Sequence, residues 1–116
     1  VRVIFEELGR IIREHRPTCL AIEEVFYSKN ARSALILGEA RGAAVLAAAI
    51  AGIPIHQYSA REIKMAVTGN GAAHKDQVNY MLQRLLHLER PPASNDESDA
   101  LAVAHCHAFR TRRWRE

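Results

Sequence analysis

Three acidic residues stand where a protein could bind a hard metal ion. Asp96 and Asp99 are three positions apart at the start of a predicted helix, and this spacing places both carboxylates on one helix face. That face continues through Ala100 and Val103, so we expect the pair to be directed toward packed protein. Glu23 follows a short apolar run, at the carboxyl end of a predicted strand, where open α/β sheets place functional groups. Carboxylate oxygens suit Mg²⁺, and two ions about 4 Å apart can support in-line phosphodiester cleavage.

Each of these acids also has a purely structural explanation. Ser94 with Glu97 fits a capping box, and acids in a first turn interact favourably with the helix dipole. Asp99 lies beyond the first turn, so capping does not account for it. Glu23 can equally be a solvated acid at a strand exit, and Glu24 points to the opposite side under strand alternation. Spacing alone leaves both interpretations open.

The basic residues are unevenly divided, with thirteen Arg and only three Lys, and the net charge is +3. A mildly basic chain permits nucleic-acid binding without requiring it. Lys29, Lys64 and Lys75 could be kept where a compact point charge is useful. The alternative is a genomic preference for Arg codons.

Other patterns are weaker. His105-Cys106-His107 resembles a soft-metal tract, but residues two apart on a helix face different directions, which favours core and cap roles. The segment 69–71, Gly-Asn-Gly, lacks the spacing of a phosphate-binding loop and predicts a turn. Trp114, among four arginines, could contact a nucleic-acid backbone, although a frayed basic tail is the simpler interpretation.

The apolar periodicity predicts helices and strands in the order α-β-α-β-α-α-α. In chain order, the predicted elements are a helix over 2–15, a strand over 18–22, a helix over 31–51, a strand over 53–58, a helix over 60–67, a helix over 75–88 and a last helix from about 94. Strands separated by helices build parallel sheets. Two strands are too few for a stable sheet, so we expect a piece of a larger α/β domain that lacks N-terminal strands, or else a swapped or dimeric sheet.

The bulk composition is that of an ordinary globular protein. At 116 residues we expect one domain, covering residues 1–116. Cys19 and Cys106 both lie in apolar segments, which indicates a reducing cytoplasm without disulfides. No secretory signal is recognisable, and the Ala-rich stretch Gly42–Gly52 is too short to span a membrane.

The segment 20–30, LAIEEVFYSKN, resembles the central motif of RuvC-type Holliday junction resolvases, bacterial nucleases of the RNase H-like superfamily. The resemblance continues in order along the chain. It includes AL at 34–35, GEARG at 38–42, YSAREIK at 58–64, VTGNGAAHKDQV at 67–78 and DESDALAVA at 96–104. Several ordered motifs at plausible spacing are far more specific than any one of them.

The resemblance implies an RNase H-like three-layer α/β/α fold with a central mixed sheet, and it implies roles for seven residues. The acids would hold Mg²⁺, with two ions per site and Mn²⁺ as a possible substitute. An aromatic side chain in the loop after the first strand could stack on a base of the opened junction. The implied metal ligands are Glu23, Asp96 and Asp99, Lys75 is an implied catalytic residue, and the implied DNA-binding residues are Phe26, Lys29, Lys64 and Lys75.

One departure from the family pattern is informative. Family members begin with a strand that carries an Asp-x-Gly motif, whose Asp is a further metal ligand. This chain starts at the helix that normally follows three strands. The resemblance therefore implies an incomplete fold with three of four acids, and little nuclease activity for these 116 residues alone.

The expected function is magnesium-dependent resolution of four-way DNA junctions by paired nicking, in recombination and repair. We expect a homodimer, for which the helix over Gly38–Ala51 resembles the dimer-forming element, although close packing on the sheet would explain its small residues equally well. A branch-migration complex in the bacterial cytoplasm is the implied partner, and no membrane is expected. The alternatives are a non-catalytic fragment that dimerises and binds branched DNA, and a related nuclease acting on RNA.

Overall fold

The computed structural model describes residues 1–24 and 30–112. These residues form five helices and two strands in the predicted order: α1 (Arg2–His15), β1 (Leu20–Glu23), α2 (Ala31–Ala51), β2 (Ile55–Tyr58), α3 (Ala60–Thr68), α4 (Lys75–Leu85) and α5 (Asn95–Arg112). Several boundaries differ from those predicted by one to three residues, among them the start of β2 at Ile55 and the end of α3 at Thr68. Strand β1 starts later and includes Glu23, and α4 ends at Leu85, after which His87 takes a positive φ of 54°.

The two strands pair in parallel. The Leu20 N–H donates to Pro54 O at 2.9 Å, and four residues later the Glu24 N–H donates to Tyr58 O at 2.8 Å. Because both partners advance by four residues in the same direction, β1 and β2 are parallel neighbours, as the α-helical crossover between them requires.

The chain divides into two compact units, of which the first contains α1 and α2 (Val1–Leu20 and Val25–His56). In this unit α1 packs against α2. The side chain of Asn30 accepts a hydrogen bond from the Ser33 N–H at 2.8 Å and so caps the start of α2. Gly52, at φ 74°, ends the helix in the left-handed conformation that glycine adopts without strain, as predicted.

The second unit contains α3, α4 and α5 (Ala21–Glu24 and Gln57–Glu116), and its hydrophobic core includes residues from all three helices. Leu82 and Cys106 are fully buried there. The buried members of this core are Tyr58, Ile63, Val67, Ala73, Val78, Leu82, Ala102, Val103 and Cys106. The single domain predicted for residues 1–116 stays a prediction.

Helix α2 is longer and more apolar than the stretch Gly42–Gly52 suggested. Its 21 residues are, by length and composition, sufficient to cross a membrane, so the prediction that no stretch reaches that length was wrong. One such helix is weak evidence for a membrane span, because core helices of globular proteins have the same property.

Candidate metal and nucleic-acid site

Helix α3 carries Lys64 and is fixed at both ends. The Glu62 N–H donates to Ser59 Oγ, and the Ser59 N–H donates to Glu62 Oε1, each at 3.1 Å, which completes a capping box. Gly69 ends the helix at φ 79°, with its N–H donating to Met65 O at 2.8 Å. This capping box was not predicted, although its Ser-x-x-Glu signal is present at 59–62.

The turn after α3 leads directly to Lys75, the first residue of α4. The hydroxyl of Thr68 donates to Lys64 O at 2.8 Å and accepts from the Asn70 N–H at 3.0 Å. The Asn70 side chain then accepts from the Ala72 N–H at 2.9 Å, which closes an Asx turn. The turn predicted at 69–71 is confirmed, and its side-chain hydrogen bonds fix the path from Lys64 to Lys75.

The start of α5 is capped, but not by the full box that was predicted. The Glu97 N–H donates to Ser94 Oγ at 3.1 Å, so Ser94 is confirmed as a cap. The Glu97 carboxylate accepts from the Ala93 N–H at 3.3 Å and not from the Ser94 N–H. Capping therefore explains Ser94 and leaves Asp96 and Asp99 available for other contacts.

The acids of α5 face solvent, contrary to the expectation that they point toward packed protein. The buried side of the helix is formed by Ser98, Ala102, Val103 and Cys106. Asp96 and Asp99 are exposed, although Asp99 lies on the same side of α5 as Ala102 and Val103, three and four residues later. Asp99 forms an ion pair with Lys75, in which the lysine side chain is 43% exposed and the aspartate side chain 53%.

Glu23 belongs to the same electrostatic cluster. Partial burial raises the pKa of the Glu23 carboxyl above its ordinary value, and the negative charge of Asp99 raises it further. The positive charges of Lys75 and Lys64 act in the opposite direction but do not cancel the rise. Strand β1, α3, α4 and α5 thus bring two carboxylates and two ammonium groups into mutual electrostatic range.

The predicted residues outside this cluster differ in what the structure says of them. Asp96 lies one turn before Asp99. Within residues 1–24 and 30–112, its side chain has no hydrogen-bond or ion-pair partner. Phe26 and Lys29 lie outside the described residues. The metal-binding, catalytic and DNA-binding roles of all seven residues stay predictions.

The donor set of the cluster fits a hard divalent cation. Its ligand atoms are carboxylate oxygens, which Mg²⁺ prefers. Burial, and after it the negative charge of Asp99, raises the pKa of the Glu23 carboxyl. A cation placed between these two carboxylates would offset their repulsion.

A second polar cluster, at the far end of α5, was not predicted. Tyr58 Oη lies 2.5 Å from His107 Nδ1, and the Arg110 guanidinium lies 5.7 Å from the centroid of the Tyr58 ring. Arg110 also pairs with Glu62. Hydrogen bonds from Ser59, first from its backbone N–H, and the Arg110 charge lower the pKa of the Glu62 carboxyl. These contacts join α3 to α5.

The His-Cys-His tract does not form one ligand set. His107 contacts Tyr58, while the His105 ring stacks on Phe109 with centroids 6.3 Å apart. Cys106 is buried in the core, where burial raises the pKa of its thiol. The predicted core role agrees with the position of Cys106.

Comparisons with known proteins identify the family. The family model "Crossover junction endodeoxyribonuclease RuvC" matches residues 1–107. Similar curated proteins of that name come from Pelotomaculum thermopropionicum, 49% identical over 93% of this chain, and Shewanella amazonensis, 53% identical over 92%. The chain spans 66% and 61% of the lengths of these two relatives.

Solved structures agree with the sequence comparisons. A RuvC structure from Thermus thermophilus has a TM-score of 0.87 and 34% identity, and covers 96% of this chain and 67% of its own. A second, the T. thermophilus RuvC in complex with a Holliday junction substrate, has a TM-score of 0.90 at the same identity and coverage. The predicted RNase H-like α/β class is confirmed by these structures. The ordered motifs, the matched family model and the shared fold show that this chain belongs to the RuvC family of crossover junction endodeoxyribonucleases.

Proposed function

We propose that the protein containing this chain is a magnesium-dependent endonuclease that resolves four-way DNA junctions by paired nicking. The observation that carries the proposal is the cluster of Glu23, Asp99, Lys75 and Lys64 in a chain of this family. Carboxylates for a metal and ammonium groups for phosphate are the two requirements of metal-assisted phosphodiester hydrolysis.

Glu23, Asp96 and Asp99 would hold the magnesium ions, for which Mn²⁺ could substitute. Two bound ions would supply activation of a water molecule and stabilisation of the leaving oxygen. The chain's own contribution begins with Glu23, whose raised pKa shows that its charge is poorly compensated. A carboxylate in that state gains more from a cation than one already well solvated.

Lys75 and Lys64 would bind the phosphate backbone. The Lys75 ammonium pairs with Asp99 but remains 43% exposed, so a phosphate oxygen can reach it. Lys64 acts on Glu23 from α3 and adds a second positive charge at the cluster. Lys29 and Phe26 would also contact the junction. Such contacts make DNA affinity depend strongly on salt.

A homodimer would supply the second active site needed for paired nicks. Helix α2 presents large apolar side chains to solvent: Leu35, Ile36, Leu37, Leu46 and Ile50 are all at least 46% exposed in this chain. A second copy related by two-fold symmetry would cover them and place two sites on opposite strands. We further propose a cytoplasmic location and association with a branch-migration complex, both on family grounds.

The test uses this chain joined at Val1 to the N-terminal segment of the P. thermopropionicum relative. We expect magnesium-dependent, symmetric nicks in a synthetic four-way junction, and Asp99→Asn should slow cleavage by about 100-fold or more while junction binding persists. Asp76→Asn removes another exposed carboxylate and is the matched control, which should cleave normally.

Several outcomes would contradict the proposal. Cleavage retained by folded Asp99→Asn would remove that residue from the metal site. Junction binding without nicking by the fused protein would favour a non-catalytic binding module. Preferential cleavage of structured RNA would favour the RNA-processing alternative. The 116 residues alone should show little cleavage.

A further inference from the structure

Ser98 is the only buried polar or charged residue within the described part of the chain, with 1% of its surface exposed. It lies on α5 directly before Asp99. Its hydroxyl hydrogen-bonds the side-chain oxygen of Asn79 on α4, and Asn79 lies one turn after Lys75. The same two helices are therefore joined by two polar contacts at adjacent positions, one buried and one exposed.

The two contacts differ in how firmly they fix geometry. The outer contact, Lys75 with Asp99, is an ion pair about half exposed to water, and such pairs hold their side chains weakly. In the inner contact Asn79 is half-buried but Ser98 is only 1% exposed, so breaking this hydrogen bond leaves the serine hydroxyl without a solvent partner. The inner hydrogen bond must therefore fix the relation of α4 to α5 more strongly.

Packing alone does not explain a polar pair at this position. The rest of the buried face of α5 is made of Ala102, Val103 and Cys106, and an alanine or valine could continue it. Apolar contacts tolerate small sliding and rotation of one helix on another, whereas a hydrogen bond is directional. This hydrogen bond lies one residue from Asp99 and one turn from Lys75, so it restrains the backbone segments from which both side chains extend.

We propose that Asn79 and Ser98 are positioning residues for the metal site, whose hydrogen bond holds Asp99 of α5 in register with Lys75 of α4. The inference rests on the proposed function, because it assumes that Asp99 binds a divalent cation. It assigns to Asn79 and Ser98 no contact with DNA or metal. Groups that orient a metal ligand from behind it typically alter metal affinity about 10- to 100-fold when removed.

The test measures the Mn²⁺ affinity of the N-terminally extended protein by electron paramagnetic resonance, without any nuclease assay. We expect Ser98→Ala to weaken Mn²⁺ binding about 10-fold. Ser98→Thr keeps the hydroxyl and should restore affinity. Cys106→Ala removes another fully buried group two turns further along α5 and controls for a general loss of stability. Cys106→Ala should change Mn²⁺ affinity by no more than about twofold, well below the loss of about 10-fold expected for Ser98→Ala. If Ser98→Ala does not fold, Asn79→Ala removes the acceptor of the same hydrogen bond at a residue that is only half-buried.

A second measurement separates this inference from the proposed function. The NMR signal of the Lys75 ammonium in the metal-free chain should shift in Ser98→Ala as it does in Asp99→Asn, and should not shift in Cys106→Ala. If Asp99→Asn binds Mn²⁺ as tightly as the parent does, Asp99 is not a metal ligand and the proposed function loses its metal site. The Lys75 signal then tests by itself whether Ser98 positions the Lys75–Asp99 pair. Unchanged Mn²⁺ affinity together with an unchanged Lys75 signal in folded Ser98→Ala would overturn the inference, as would equal losses in Cys106→Ala.

Discussion

At the residue scale, the charged cluster is arranged for chemistry more than for stability. The Lys75–Asp99 pair is about half exposed, and exposed ion pairs contribute only about 0–1 kcal/mol to the free energy of unfolding. Glu23 works against stability, since burial and Asp99 raise the pKa of its carboxyl. A site that opposes folding when empty is typical of functional positions.

Glu23 and Glu62 should affect the pH dependence of stability in opposite directions. Folding raises the pKa of Glu23, so the folded protein holds the carboxyl proton more tightly than the unfolded chain does. The stability that Glu23 contributes is therefore fully present below the ordinary pKa of 4.5 and is lost as pH rises through the folded pKa. In metal-free solution at pH 7, Glu23→Gln should therefore melt at a higher temperature than the parent, and the gain should vanish below pH 4.5.

Glu62→Gln is the matched comparison. Folding lowers the pKa of Glu62, first through the Ser59 backbone N–H, so its contribution exists above the ordinary value and is lost as pH falls. Glu62→Gln should melt at a lower temperature than the parent at pH 7. Thermal unfolding at pH 3 to 8 measures both. Two substitutions that shift the melting temperature in the same direction at pH 7 would contradict the assignment.

The two lysines should separate into a catalytic and a binding residue. In the N-terminally extended protein, Lys75→Gln should slow cleavage of saturating junction about 100-fold, because it removes the charge beside Asp99. Lys64→Gln should mainly weaken junction binding and reduce the slope of log affinity against log salt by about 1. Fluorescence anisotropy and single-turnover cleavage distinguish these effects, and identical losses for both variants would refute the division.

At the element scale, short-range signals predicted the helices and the parallel strand pair, because apolar periodicity acts locally. The ends were less accurate: α4 stops at Leu85, where the last residues of the apolar pattern continue as a turn. Asp99 was wrongly predicted to point toward packed protein, since spacing identifies a helix side but not how far along the helix its neighbours cover that side. The Asn79–Ser98 bond could not be predicted, because it joins two residues that are 19 apart in sequence and lie on different helices.

The capping box of α3 gives a prediction for the element as a whole. Ser59→Ala removes the acceptor for the Glu62 N–H and should lower the free energy of unfolding by about 1 kcal/mol. Urea denaturation measures the loss. Ser94→Ala is the comparison at α5, where only one half of the box is formed, so its effect should be the smaller. A larger loss at Ser94 would contradict this ranking.

At the scale of the whole molecule, the oligomeric state depends on what covers the exposed apolar side chains of α2. Leu46 and Ile50 are one turn apart, 52% and 68% exposed, and beside the buried alanines of the same helix. Exposed apolar patches of this kind mark association surfaces. The sequence indicated a dimer-forming helix only through resemblance, because the physical pattern of α2 is apolar on every side and does not distinguish a core helix from an interface.

Replacing both residues tests the dimer. Leu46→Glu combined with Ile50→Glu should convert a dimer into a monomer in sedimentation velocity, since two buried carboxylates at a symmetric interface meet their own copies. Val3→Glu changes a similarly exposed apolar residue on α1 and should leave the dimer intact. A monomeric parent chain, or a dimer that survives the double change, would show that α2 is not the interface.

The two cysteines provide a built-in probe of folding. Cys19 is partly accessible, whereas Cys106 is fully enclosed among α3, α4 and α5, and burial raises the pKa of its thiol. Thiolate is the reactive form, so alkylating reagents should modify Cys19 quickly and Cys106 only when the second unit opens. The labelling rate at Cys106 would therefore report the opening free energy of the unit that carries the acids, in the unaltered protein and with no dye or substitution introduced.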